Sequence, residues 1–249
     1  MEILELVKTG NWIDNDDRQW AWNIERIVSQ LEHCFNEAFV SLILFDREKN
    51  TEFSLVEMEK QWLEDRERRN QIESSIKHDF DLKKSDDREK LIQKVESILN
   101  QEKLNNGDLP RYLKHEVQFI YAKSFLYSLD TIAKLINVLS IQPGVPDEIS
   151  KIKDFMGENF PDLTNVRDSS HHTEDRVIGK QRKKTIELQP IDTDGIKADG
   201  GVLVLSNLSG SSFSCTMFNG HLGRVDVTRQ SLDIVRGVIQ SVIDSFQWK

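Results

Sequence analysis

Between Asp16 and Phe45 the chain repeats apolar residues at intervals of three and four: Trp20, Ile24, Ile27, Leu31, Cys34 and Phe35, Ala38, Leu42 and Phe45. Residues at these intervals share one face of an α-helix, so the pattern predicts a single apolar stripe. No Gly or Pro interrupts it, and the run predicts an unbroken helix of roughly seven turns. A stripe of that length is buried only if other elements cover it from end to end, which makes it the backbone of a helical fold.

A second stripe answers it. Leu113, Val117, Ile120 and Tyr121, Phe125, Leu129, Ile132, Ile136 and Leu139 follow the same spacing. The turn Asn105-Asn-Gly-Asp108 precedes this run, and Asp108 with Pro110 suits a helix start. The aromatics Tyr112, Phe119, Tyr121, Phe125 and Tyr127 read as packing residues rather than a base-stacking platform. Pro143-Gly-Val-Pro146 breaks the helix. A short helix follows with Ile149, Ile152, Phe155 and Met156 inward and Gly157 at its end. Near the N-terminus, Trp12 reads as a packing anchor.

Residues 51–104 differ in character. Charges of both signs dominate, and only Leu55, Met58, Trp62, Ile72 and Ile76 suggest a buried stripe. This is the pattern of a long solvated helix laced with ion pairs one turn apart. Arg66, Arg68 and Arg69 are interleaved with Glu64, Asp65, Glu67 and Glu73, which favours a solvated face over a nucleic-acid contact. After a polar break at Asp79–Asp87, Asp86-x-x-Glu89 has the form of a capping box. Leu91, Ile92, Val95, Ile98 and Leu99 then continue at helical spacing.

The last quarter changes class. Residues 177–200 read as a connector with room for a short strand. Gly201–Leu208 is a β-type run, Ser209–Ser212 a turn, Phe213–Phe218 a second strand, and Gly223–Thr228 a third after the Asn219-Gly220 turn. Thr228 is placed to cap a final helix with Leu232, Val235, Val238, Ile239, Val242 and Phe246 inward. The expected fold is mainly α: a helical bundle with long antiparallel helices, followed by a small C-terminal antiparallel β-meander and helix. The expected division is a bundle over 1–176, elaborated by 51–104, and an appendage over 177–249.

Bulk properties limit the function. Of the 249 residues 38% are hydrophobic and 30% charged, and the net charge is −9. Nonspecific affinity for nucleic acid comes mainly from Lys and Arg on phosphates, so this balance argues against a broad, constitutive nucleic-acid-binding face but does not exclude a small basic cleft. Cys34 and Cys215 stand in unlike contexts and read as buried free thiols of a reducing cytoplasm. The start Met-Glu-Ile-Leu-Glu lacks the pattern of a signal peptide, and the longest apolar run, Ala38–Phe45, is too short to cross a bilayer. A cytoplasmic protein with no membrane partner is expected.

The stretch from Phe160 to Arg176 gathers the chemistry. Arg167 is followed directly by Asp168, and His171 and His172 come four and five residues later. On a helix Arg167 and His171 share a face, with His172 turned about 100° further round. Cleavage of RNA by its own 2′-hydroxyl needs a proton acceptor working near neutral pH and a cation for the developing phosphorane charge. His and Arg supply both without a metal or cofactor. Lys180, Arg182, Lys183 and Lys184 lie just beyond and would line the approach for substrate. Two other readings stay open. In the first, Arg167, Asp168 and Glu174 form surface ion pairs while His171 and His172 cap a helix C-terminus. A metal site built from His171, His172, Glu174 and Asp175 has weaker support, because adjacent helical residues diverge and no HExxH or CxxC spacing occurs. Phosphate-loop, dinucleotide-binding and nucleophile-elbow glycine motifs do not occur.

Arg167-x4-His172, with a polar residue after the Arg and late in a helical bundle, resembles the signature of HEPN-domain proteins. The resemblance covers residues 16–176 in architecture and six residues in motif. It implies a helical bundle that forms a homodimer, setting two copies of the motif across one cleft. It implies a metal-independent endoribonuclease acting as a toxin or anti-phage defence effector, with an antitoxin or defence-complex protein as partner, or else a non-catalytic interaction or sensor module. Carried over by position, Arg167 would hold the scissile phosphate, His172 would act as general acid or base, and Asp168 would orient one of them. His171 is a departure and leaves open which imidazole works. The charged segment 51–104 and the β-meander also lie outside a minimal bundle of this kind.

Overall fold

A computed structural model describes residues 3–49, 55–182, 184–193 and 195–249, with 55–58 described by their backbone alone. The fold is mainly α. Its helices are α1 (Arg18–Lys49), α2 (Leu55–Ile76), α3 (Ser85–Asn105), α4 (Arg111–Ser140), α5 (Glu148–Asn159), α6 (Leu163–His171), α7 (Thr173–Arg176) and α8 (Arg229–Asp244). Two hairpins of very short strands, β1 (Lys180–Gln181) with β2 (Lys184–Thr185) and β3 (Ile191–Asp192) with β4 (Lys197–Ala198), fill the connector. An antiparallel meander of β5 (Asn207–Ser209), β6 (Ser212–Thr216) and β7 (Leu222–Asp226) precedes α8. No described helix is long and apolar enough to cross a membrane.

The chain divides into two compact units: Met1–Asp46 with Phe119–Lys249, and Arg47–Gln118. The division falls there rather than after Arg176, because the meander and α8 share a core with the long helices. Phe213, Val225, Leu232 and Ile239 belong to one buried cluster with Ile24, Leu31, Phe125 and Leu129. In α1 the expected stripe is buried from Ile24 to Phe45, apart from the partly buried Ile27. In α4 the buried face runs from Ala122 to Leu139 and includes Leu126 and the carboxylate of Asp130, which the apolar pattern passes over. Ile120, expected in that stripe, is 60% exposed, as it lies before the turn at which the face becomes covered. Ser41 Oγ and Ser124 Oγ meet at 2.8 Å and join α1 to α4.

Several smaller expectations are corrected. Trp12 is 47% exposed, and its neighbour Ile13 is the anchor, buried and bridged to Trp248. Phe155 faces outward from α5, while Ile149 and Met156 face in. The β-type run at 201–208 forms strand only at its end. Earlier in the run, the Thr216 hydroxyl accepts from Val204 N and Thr216 N donates to Val204 O, both at 2.8 Å, so a side chain replaces the ladder. Thr228 does cap α8, its hydroxyl accepting from Ser231 N at 3.2 Å. Both cysteines are free and buried.

In the second unit Ile72 of α2 packs with Leu91, Val95 and Leu99 of α3, with Ile76, Phe80 and Ile98 at the edge. Trp62 and Ile92 are exposed rather than in the stripe. Leu55 and Met58 lie outside the described side chains. Arg68 pairs with Glu102, Arg69 with Glu96 and Lys103 with Asp65, while Arg66 lies over the Trp62 ring. The basic cluster is thus a solvated face tied across two helices. The expected capping box does not form: α3 begins at Ser85 after Lys84, with no side-chain cap, so Asp86 and Glu89 already lie within the helix.

Candidate functional site

α6 is short, and the meander holds it in place. Asp162, just before it, spends its carboxylate on Arg224 N of β7 (3.1 Å) instead of capping the helix. Cys215 of β6 donates its thiol to Val166 O at 3.5 Å. Gly223 of β7 lies where a Cβ would come within 2.8 Å of a Val166 methyl and would also strike Met217, so only glycine allows this approach. With Val166 pressed against the sheet, Arg167 is turned towards α4.

Thr164, Arg167 and His171 fall on one face of α6, and Tyr127, Asp130 and Lys134 on one face of α4, by the three- and four-residue rule. The two faces meet. Asp130 is 1% exposed. Its Oδ2 accepts from Arg167 Nε at 2.6 Å and forms an ion pair with Lys134 Nζ at 2.8 Å, and its Oδ1 accepts from the Thr164 hydroxyl at 3.1 Å. Arg167 Nη1 lies 2.9 Å from Asp168 Oδ1. The Arg167 side chain is 22% exposed, and its guanidinium is paired with one buried carboxylate and one half-exposed one.

α6 ends between the two imidazoles. His171 is its last residue and His172, at φ −92° and ψ 52°, is the junction to α7. Neither Gly nor Pro stops the helix. Instead, hydroxyls take up its last carbonyls: Ser170 Oγ donates to Arg167 O (2.9 Å) and Thr173 Oγ1 to Ser170 O (3.0 Å). His171 meets Tyr127 edge-on with ring centroids 6.3 Å apart, and the two imidazoles meet edge-on at 5.3 Å. His172 Nδ1 lies 3.1 Å from Glu174 Oε1. The Glu174 carboxyl is held below its ordinary pKa, first by its own backbone N–H and then by His172. Both imidazoles are exposed.

The site residues proposed from sequence are therefore partly assembled. Arg167 and Asp168 are paired, and His171 and His172 are in contact. Among the described residues no hydrogen bond or ion pair joins Arg167 to either imidazole. The side chains of Lys180, Arg182 and Lys184 are exposed on the β1–β2 hairpin, and Lys183 lies outside the described residues. Arg182 has φ 55°, the left-handed conformation that a two-residue hairpin turn demands. Arg176, which the motif reading did not single out, secures this hairpin. It is 5% exposed, and it donates from Nη1 to Lys180 O (2.8 Å) and from Nε to Ser169 Oγ (3.3 Å). Asp175 reinforces it by accepting from Arg182 N at 2.9 Å.

Asp130 and Lys134 were also missed. The signal for them was an acidic residue between Leu129 and Thr131 in an apolar helix, with a Lys four residues on. Among the described residues no group of three or more His, Cys, Asp and Glu is placed to hold a metal ion. Comparison of the chain with protein-family models, curated proteins and solved structures finds no match.

Proposed function

We propose that the chain is a metal-independent endoribonuclease of HEPN type, working as a cytoplasmic homodimer in a toxin-like or anti-phage role. One observation carries the reading. A guanidinium held by a buried carboxylate stands on a short helix whose last residue and C-cap are two contacting, exposed imidazoles. Arg167 supplies the cation for a phosphorane, and a fixed donor stabilises developing charge without reorganising. His172, at the helix junction, is the better placed acid or base, since His171 is turned towards Tyr127. Such proton transfer contributes about 10²–10⁴ in rate. The basic hairpin bolted on by Arg176 gives the RNA strand a contact beyond the reacting phosphate.

A second reading is favoured by a different observation. Arg167 is already matched by Asp130 and Asp168, as surface and buried ion pairs of a non-catalytic interaction or sensor protein would be. The two readings separate in one assay. Purified protein in EDTA is mixed with unstructured RNA, and products are resolved by gel. The nuclease reading expects cleavage that falls at least a hundredfold in Arg167→Ala and in His172→Ala, with both variants folded. Cleavage that survives both substitutions rejects it, and no cleavage at all favours the interaction protein.

A further inference from the structure

We propose that Asp130 is a positioning residue that sets Arg167 and Lys134 as a two-cation clamp for an RNA phosphodiester, an inference that rests on the ribonuclease reading of this site. Asp130 sits on a buried face of α4 next to Leu126, Leu129 and Ile132. A carboxylate there must be compensated, and two hydrogen bonds and an ion pair from two helices do so. Replacing such a cluster by apolar side chains is often neutral or stabilising, so its net yield is geometric more than energetic. What it fixes is the spacing and direction of two cations, because Arg167 Nε and Lys134 Nζ bind the same oxygen, Oδ2.

Asp130 holds the guanidinium at Nε, which leaves its two Nη groups for other partners. Nη1 meets Asp168, and Nη2 makes no hydrogen bond among the described residues. The Lys134 side chain is 49% exposed, so its ammonium pairs with Asp130 while remaining open to solvent. Asp168, also 49% exposed, is the partner that a phosphate displaces from Nη1, while Asp130 keeps its hold on Nε. With Asp168 in place the four side chains are neutral together; once it swings away they carry one positive charge. A chain of net charge −9 thereby presents a cation site only to a ligand able to outcompete one exposed carboxylate.

The test is binding of a short 2′-O-methyl RNA oligomer, which cannot be cut, followed by fluorescence anisotropy with the full chain over a range of salt. Asp130→Asn removes a negative charge beside the ligand. If Asp130 merely competes for the cations, binding tightens. The clamp predicts the opposite sign, a weakening of about tenfold, on the scale of a lost charged hydrogen bond. Lys134→Gln and Arg167→Gln each weaken binding and reduce the slope of log K against log salt by about 0.7, the value for one phosphate contact to a single strand. Lys134 is half exposed, so its variant carries the test even where Asp130→Asn does not fold. Undetectable binding by the unaltered chain, tighter or unchanged binding by Asp130→Asn, or an unchanged affinity and slope for Lys134→Gln overturns the clamp. The same proteins on unmodified RNA separate the two claims. The predicted binding pattern without cleavage leaves the clamp standing and removes the nuclease. Cleavage dependent on Arg167 and His172, with binding indifferent to Asp130 and Lys134, does the reverse.

Discussion

At the scale of single residues, Asp130 decides how Arg167 behaves. Removing one partner of a buried ion pair leaves the other uncompensated, and Arg167 retains some solvent, so Asp130→Ala should destabilise the fold by about 3 kcal/mol, the lower end for such pairs. Chemical denaturation measures this directly. Cys215 offers an independent check on the packing behind α6. Burial pushes its thiol up to about 12. A group that is harder to ionise when folded stabilises the fold fully below its unfolded pKa of 9.0, and that contribution is lost as pH rises from there towards 12. At pH 8 the native protein should therefore show no rapidly reacting thiol at Cys215 with an aromatic disulfide reagent, and should show it on unfolding. Fast reaction in the native state contradicts the contact with Val166.

At the scale of elements, α6 is placed by the meander more than by its own sequence. Gly223→Ala should force Val166 or β7 to move, at about 1–3 kcal/mol as for other overpacked cores, and should lower cleavage per folded molecule because Arg167 follows Val166. Thr228→Ala removes only the cap of α8. It should lower stability by about 1 kcal/mol and leave cleavage per folded molecule unchanged. The long helices were legible in the sequence because their apolar intervals recur over many turns, and the stripes from Ile24 to Phe45 and from Phe125 to Leu139 need no tertiary information. The cap at Thr228 was legible for the same local reason. What escaped depends on contacts distant in the chain. Asp130 acquires its meaning from Thr164 and Arg167, Trp12 gives way to Ile13 because of Trp248, and the irregular backbone at Val204 answers to the Thr216 hydroxyl. The failed capping box shows the limit of a four-residue pattern, since the helix simply begins two residues earlier, at Ser85 after Lys84.

At the scale of the whole molecule, the acidic balance and the charge-neutral cluster around Arg167 fit a nuclease with little affinity for nucleic acid outside its site. The proposed homodimer should sediment at about twice the monomer mass of 28.9 kDa, and a strict monomer at micromolar concentration contradicts that part of the reading. The unit Arg47–Gln118 is tied by cross-helix pairs between Arg68 and Glu102 and between Arg69 and Glu96. The most direct measurement is RNA cleavage in EDTA by the unaltered chain and by Arg167→Ala, on one oligomer made with ordinary ribose and again with 2′-O-methyl ribose. The account predicts that only the ordinary oligomer is cut, and only while Arg167 is present. Equal cutting by Arg167→Ala, or cutting of the 2′-O-methyl oligomer, would contradict it.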